Sequence, residues 1–276
     1  MQYDNYILFY GLILDYSRER DYNNSVYGRE KDYISTRRVN MGYVDIHSHV
    51  LPYMDDGSQD METTMDMLRI AEAEGISDII VTPHYKSGRF KGDSAQMHKL
   101  LESVRERIYE AEMQINLYPG NEIFYRSELE ERLETGELST MNRSSYVLVE
   151  FSPMEDFLYI RNAMEDIFSM GYIPILAHVE RYQCMHMKQE RVRELKNKGC
   201  EIQVNAASVT GETGLMCKRF VHRLLKEKLV DYIGTDAHNT SGRKPAMKKC
   251  AEVLQKKYGR EYADALLGEN ARERLM

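Results

Sequence analysis

The chain has 276 residues with 37 basic and 44 acidic side chains, a formal net charge of −7 and an isoelectric point near 5.7. That balance argues against a protein that grips nucleic acid by charge, and no run approaches the roughly 20 apolar residues needed to span a bilayer. Cys184, Cys200, Cys217 and Cys250 show neither CxxC spacing nor the density of a disulfide scaffold, so they read as reduced thiols in a soluble cytoplasmic enzyme.

Residues 1–40 differ from the rest of the chain. Tyr3, Tyr6, Tyr10, Tyr16, Tyr22, Tyr27 and Tyr33 are interleaved with Asn, Asp and Arg, and no sustained period is visible beyond the apolar stretch 6–14. That stretch lacks a basic flank and a small-residue cleavage site, so it is a poor signal peptide. Met41 directly precedes the first strand and could itself start translation. We expect an N-terminal extension over 1–40, disordered or not native, and one catalytic domain over 41–276. A regulatory tail with tyrosines open to phosphorylation or to a partner is the alternative.

From Gly42 onward, short apolar runs alternate with helical periods. The first run is Val44-Asp45-Ile46-His47-Ser48-His49, followed by Asp55-Asp56-Gly57. A helix fits 62–74, with Met65, Leu68, Ile70 and Ala71 as its apolar stripe and Gly75 as its stop. After the strand Ile79-Ile80-Val81-Thr82-Pro83-His84, a second helix fits 94–111, with Ser94 as N-cap and Leu100, Leu101, Val104 and Ile108 on one face. Further strands fall at 115–118, 146–150, 173–177, 201–205 and 231–234. Further helices fit 156–170, 188–198, 214–228 and 245–258, with a last one from Glu261. The acidic, less regular stretch 123–138 reads as an insertion over the mouth of the fold.

Strand and helix in alternation imply a parallel sheet covered by helices. In a closed α/β barrel the C-terminal strand ends converge on one face, where chemistry is placed. Seven candidate strands suit a distorted or incomplete barrel better than the regular eightfold one.

The strand ends carry the chemistry. His47 and His49 stand at i, i+2, so in extended chain both rings point to one side. Beyond Asp55-Asp56 come His84 after Thr82-Pro83, Glu122 after Asn121, Glu150 after Val149, His178 after Ala177, and Asp236 and His238 around Ala237. Five of the eight histidines occupy these junctions, whereas His98, His186 and His222 fall in helical stretches and read as solvated or core residues. Imidazole and carboxylate without thiolate suit Mn²⁺, Fe²⁺ or Zn²⁺ and exclude a cysteine-type structural zinc site. The nine candidates His47, His49, Asp56, His84, Glu122, Glu150, His178, Asp236 and His238 are too many for one ion, so two or three are expected. A carboxylate such as Glu122 could bridge neighbouring ions. Clustered divalent ions can activate water and clamp an oxyanion, as hydrolysis of a phosphate ester requires. Arg181 and Arg243 follow the later ligands, and a guanidinium fork is suited to phosphate. For each the plainer role is an exposed ion pair; Arg181, three residues past His178, has the stronger claim.

Cys217-Lys-Arg-Phe-Val-His-Arg223 satisfies C-x5-R in form, the pattern of cysteine-based tyrosine phosphatases. It lacks the glycines that let backbone N–H groups surround a phosphate and sits within a helical period, so the match is accidental.

The motif D-I-H-S-H-V-L-P-x-x-D-D-G-S at 45–58, with T-P-H-Y at 82–85 and A-H-x-E-R at 177–181, resembles the polymerase-and-histidinol-phosphatase (PHP) superfamily. More closely it is similar to the CpsB/YwqE-like branch of bacterial capsule-type tyrosine phosphatases, from about Gly42 to the C-terminus. The resemblance implies a distorted (β/α)7 TIM-like barrel of the PHP type with a trinuclear, usually manganese, centre. It implies a first metal held by His47, His49, Glu122 and Asp236, a second by Glu122, Glu150 and His178, and a third by Asp56, His84 and His238. It further implies attack of a metal-held hydroxide on phosphorus, with Arg181, Arg243, Asp56 and His238 at the reacting group. The implied substrate and partner is a phosphotyrosine-bearing bacterial tyrosine kinase that regulates capsule or exopolysaccharide synthesis; a homo-oligomer is compatible with the sequence. Histidinol-phosphate phosphatase, or another small phosphomonoesterase of the superfamily, is the runner-up, and the D-D-G-S version of the first motif favours the tyrosine phosphatase. A proofreading nuclease and a non-enzymatic kinase-binding module are the more distant alternatives.

Overall fold

The computed structural model describes residues 42–126 and 128–276; the extension expected over 1–40 lies outside them. Among the described residues the strands are β1 (Tyr43–Ser48), β2 (Ile76–Val81), β3 (His84–Lys86), β4 (Phe90–Lys91), β5 (Asn116–Pro119), β6 (Glu122–Phe124), β7 (Tyr146–Glu150), β8 (Ile173–Leu176), β9 (Glu201–Asn205) and β10 (Tyr232–Gly234). β1, β2 and β5 form one parallel set, and β10-β9-β8-β7-β6-β3-β4 a second. Among the described strands, only the β3–β4 hairpin is antiparallel. Where β1 ends it meets the chain just after β10: Asp236 N–H donates to His47 O at 2.7 Å and His49 N–H to Ala237 O at 2.8 Å. The result is a mixed α/β fold with a curled, mostly parallel sheet.

The sequence accounts for this arrangement. β2 is buried along its whole length, and a parallel strand covered on both faces is expected to be almost continuously apolar. Helices pack against the outside of the sheet. Met61–Ala73 is capped by Asp60, whose carboxylate accepts from Thr63 N–H at 2.7 Å. Ser94–Glu110 is capped by Asp93, which accepts from Gln96 N–H at 3.0 Å; the expected cap, Ser94, instead meets Ser139 Oγ at 3.0 Å. A carboxylate one residue earlier displaces the hydroxyl because it reaches the same orphan N–H with a full charge. The apolar stripes also differ slightly: Met67 and Met97 are fully buried, while Ile70 and Leu100 are half-buried. The remaining long helices, Phe157–Ser169, Gln189–Asn197, Leu215–Lys226 and Lys248–Tyr258, lie within a few residues of the expected bounds.

The stretch 123–138 is not simply an insertion. Its first two residues belong to β6, paired in parallel between β3 and β7, and Ile123 is fully buried. A three-residue strand that opens on a charged side chain is too short to show a period. The rest holds the short helix Leu129–Glu134, pinned by buried Leu129 and Leu133. At the other end of the domain, Arg272 Nη2 donates to Gly42 O at 2.6 Å and so anchors the C-terminal helix Asn270–Arg274 beside the start of β1.

Candidate metal centre

The curl of the sheet brings residues nearly 200 positions apart into contact. Glu122, the first residue of β6, lies fully buried at the centre. Its Oε2 is 3.2 Å from Nε2 of both His47 and His49 and 2.9 Å from His84 Nδ1, and its Oε1 is 2.7 Å from His178 Nε2. Asp236 Oδ1 lies 3.6 Å from His47 Nε2 and 3.5 Å from His49 Nε2. Glu150, at the end of β7, places Oε1 3.4 Å from His84 Nδ1. Asp56 Oδ1 is 3.5 Å from His84 Nε2 and 3.7 Å from His238 Nε2. All nine candidate ligands thus meet in one constellation.

Four overlapping groups keep their donor atoms within 4.8 Å of one another: His49 with His84 and His238; His47 with His49 and Glu122; His47 with His178 and Asp236; His84 with Glu122 and Glu150. These groups cut across the three expected ligand sets, chiefly because His84 leans toward Glu122 and Glu150, and His49 toward His238. His238 Nε2 is buried without a hydrogen-bond partner, and Glu122 Oε2 and His84 Nδ1, though 2.9 Å apart, are not aligned as a hydrogen bond. Buried lone pairs left bare are costly, and a divalent cation would satisfy several at once. The donor chemistry, imidazole and carboxylate without thiolate, fits such ions.

Charge tells the same story. Burial alone would push Glu122 and Asp236 upward, yet the neighbouring imidazoles hold both carboxyls well below their usual range, aided at Asp236 by Arg181. Burial opposes charge on His84, but Glu122 outweighs it and lifts that ring to about 9. His49 is raised well above its ordinary value against the same burial penalty, by Asp55, Asp236 and Glu122. His238 is driven down to about 3 by burial and by the nearby His49. Ionised carboxylates that retain protons on their neighbours form a sink for positive charge, which bound cations would fill instead.

Two strand ends are strained to make the site. His178 takes φ +34° and Asp236 φ +54°, the left-handed region that β-carbon-bearing residues avoid. These turns swing both side chains back over the rim. Arg181 Nη2 donates to Asp236 Oδ2 and Arg243 Nη2 to Asp236 Oδ1, the latter at 2.6 Å. Both arginine side chains remain about two-fifths exposed, and each guanidinium has more donors than its bond to Asp236 uses.

Several partners were not singled out from the sequence. Asp55 holds His49 Nδ1 at 2.7 Å. Gln203 Oε1 lies 3.3 Å from His47 Nδ1 and accepts from His178 N–H at 2.6 Å, while Asn205 Nδ2 donates to Asp236 Oδ2 at 2.9 Å. The D-D doublet hinted at Asp55; an amide in the middle of β9 gives no such signal. Cys217 is half-buried in helix Leu215–Lys226, where burial pushes its thiol up, the reverse of what a nucleophilic cysteine needs. His222, as expected, is structural: its ring meets Tyr258 Oη and Val209 O.

The family described as "Capsular polysaccharide synthesis, CpsB/CapC" matches residues 43–276. The tyrosine-protein phosphatase CpsB of Streptococcus pneumoniae is 32% identical over 238 residues, covering 84% of this chain and 98% of that protein. Among solved structures, one from a crystallographic study of YwqE from Bacillus subtilis and CpsB from Streptococcus pneumoniae, described there as unique metal-dependent tyrosine phosphatases, superposes with a TM-score of 0.76. It is 32% identical, with 80% of this chain and 89% of that one covered. A phosphotriesterase homology protein from Escherichia coli shares the fold at a TM-score of 0.59 with 10% identity, covering 86% of this chain and 99% of its own.

Proposed function

We propose, from the premise that this chain belongs to the CpsB/CapC family, that it is a metal-dependent protein-tyrosine phosphatase. The observation that carries this reading is the convergence of eight imidazoles and carboxylates on one rim, with Asp56 beside His84 and His238, flanked by two partly exposed arginines. The described residues contain no helix long and apolar enough to cross a membrane. We place the enzyme in the cytoplasm, with residues 41–276 as its catalytic domain. Its substrate is phosphotyrosine on a bacterial tyrosine kinase that regulates capsule or exopolysaccharide synthesis.

Finer features rest on the same reading. Only Thr82-Pro83 separates β2 from β3, and only Gly120-Asn121 separates β5 from β6. Taken as two kinked strands, and with the two-residue antiparallel β4 set aside, these give the seven strands of a PHP-type (β/α)7 barrel, closed where Ser48 bridges Ala237. The nine ligands suffice for two or three ions, of which manganese is our choice over iron or zinc.

Such ions supply Lewis acidity, neutralising phosphoryl charge and acidifying water. The chain's residues do the rest. Glu122 and Asp236 stay ionised and compensate the cations. Asp55, Gln203 and Asn205 fix the rings and carboxylate around them. Arg181 and Arg243 grip the non-bridging phosphate oxygens with donors not spent on Asp236. Asp56, the most exposed of the nine at 48%, and the neutral His238 face the incoming ester. Tyrosinate leaves as the base of an acid with a pKa of about 10, so strong general-acid help is unnecessary.

The test is a comparison of kcat/KM for a phosphotyrosine peptide and for histidinol phosphate with manganese present. A clear preference for the peptide supports the proposal; preference for histidinol phosphate transfers the assignment to the runner-up.

A further inference from the structure

Beside the metal centre, the β3–β4 hairpin borders a groove of about 700 Å³, and none of the nine candidate ligands lines it. The hairpin turns at Lys86-Ser87-Gly88-Arg89, where Arg89 N–H donates to Lys86 O at 2.9 Å and Gly88 takes φ +77°. Glycine enters that conformation without the penalty other residues meet. The hairpin also touches the metal site. The Phe90 ring stacks on His84 with centroids 5.7 Å apart, and Arg89 Nη2 lies 3.6 Å from Asp56 Oδ2. Arg89 and Phe90 therefore belong both to the metal rim and to the groove wall.

The wall carries surplus positive charge. In the groove, Arg132 is engaged by Glu137 and lies over the Tyr85 ring at 5.1 Å, and Asp93 is committed to capping Ser94–Glu110. Lys91 is exposed and has no carboxylate partner among the described residues, and Arg89, which lies over the Phe90 ring at 4.7 Å, has one long carboxylate contact, to the half-exposed Asp56. In a chain of net charge −7, an unpaired Lys91 beside a loosely paired Arg89 puts net positive charge on a wall continuous with the mouth. Uncommitted cations at the rim of a site select an anionic partner.

A small phosphate ester can fill the metal mouth and leave the groove unused, whereas a phosphotyrosine within a polypeptide brings flanking chain that must lie against the rim. We propose that the groove receives the chain flanking the phosphotyrosine, with acidic side chains of that flank set against Arg89 and Lys91. This rests on the phosphatase reading and adds selection for acidic phosphopeptides over small phosphate esters.

The full-length, manganese-supplemented protein is assayed on p-nitrophenyl phosphate, on a short phosphotyrosine peptide flanked by glutamates, and on the same peptide flanked by lysines. The wild type is expected to favour the acidic peptide in kcat/KM by roughly fivefold, the scale of one or two exposed ion pairs. Lys91→Glu should erase or reverse that preference while turnover of p-nitrophenyl phosphate, which reports an intact metal site, is unchanged. Equal wild-type kcat/KM for the two peptides, or an equal loss on all three probes in the variant, overturns the groove assignment alone. A wild type inactive on all three overturns the phosphatase reading and this one with it.

Discussion

Asp55 Oδ2 lies 2.7 Å from His49 Nδ1 and accepts the backbone N–H of His84 at 2.8 Å. One carboxylate oxygen thus sets the orientation of two candidate ligands, leaving His49 Nε2 aimed at Glu122 and Asp236. The nearby imidazole and two backbone N–H groups offset its burial and hold Asp55 down at about 2. A carboxylate behind a ligating histidine fixes ring and tautomer, and its loss typically weakens metal binding about 10–100-fold. Asp55→Asn should therefore raise the manganese concentration for half-maximal activity by about that factor. Metal titration of the purified variant checks this; an unchanged midpoint would show that Asp55 does not support the site.

Side chains at the candidate metal centre should matter far more than the cysteine that satisfies C-x5-R. His178→Ala and Asp236→Ala should each lower kcat by at least about 100-fold, since each removes a candidate ligand. Cys217→Ser should retain activity. Steady-state assays on a phosphotyrosine peptide, with circular dichroism to confirm folding, decide the matter. Loss of turnover in a folded Cys217→Ser protein would point to cysteine chemistry.

Protonation and metal compete for the same lone pairs. With its pKa lifted from the usual 6.5 to about 9, His84 binds a proton more tightly in the folded, metal-free protein than in the unfolded chain. Its stabilising contribution is complete below about pH 6.5 and is lost as pH rises through about 9. His49 shifts in the same direction. Chelated protein should therefore lose thermal stability between pH 6.5 and 9, by an amount on the order of 1–3 kcal/mol. Manganese-loaded protein should not, because the cation replaces the proton. Melting curves across this window provide the check, and parallel loss in both forms would contradict it.

Arg181 both steadies Asp236 and offers free donors to an anion. Arg181→Lys keeps the charge and discards the planar fork, so kcat/KM should fall by about 10–100-fold, equivalent to one or two charge-assisted hydrogen bonds. Inhibition by inorganic phosphate should weaken in parallel. A variant with normal phosphate inhibition would confine Arg181 to bracing Asp236.

Much of this site was legible in the sequence because most of the buried strands are apolar runs that lead into a candidate ligand, as at Val149-Glu150 or Ala177-His178. β3 and β6 escaped notice because they are short continuations beyond kinks at Thr82-Pro83 and Gly120-Asn121. Period 2 cannot register over three residues. Asp55 and Asp56 are adjacent carboxylates, and only the fold decides that the first braces His49 while the second faces His84 and His238. Gln203 reaches His47 across 156 positions, a contact that leaves no local pattern. Asp93 took the cap expected of Ser94 because either residue satisfies the same local rule.

We propose that imidazoles and carboxylates from separate strands act together by holding divalent cations for phosphotyrosine hydrolysis. This is tested most directly by titrating manganese into chelator-treated full-length protein while following phosphate release from a phosphotyrosine peptide. The expected result is no release without metal and saturable recovery as manganese is added. Undiminished release in excess chelator, or none at any manganese concentration, would contradict it.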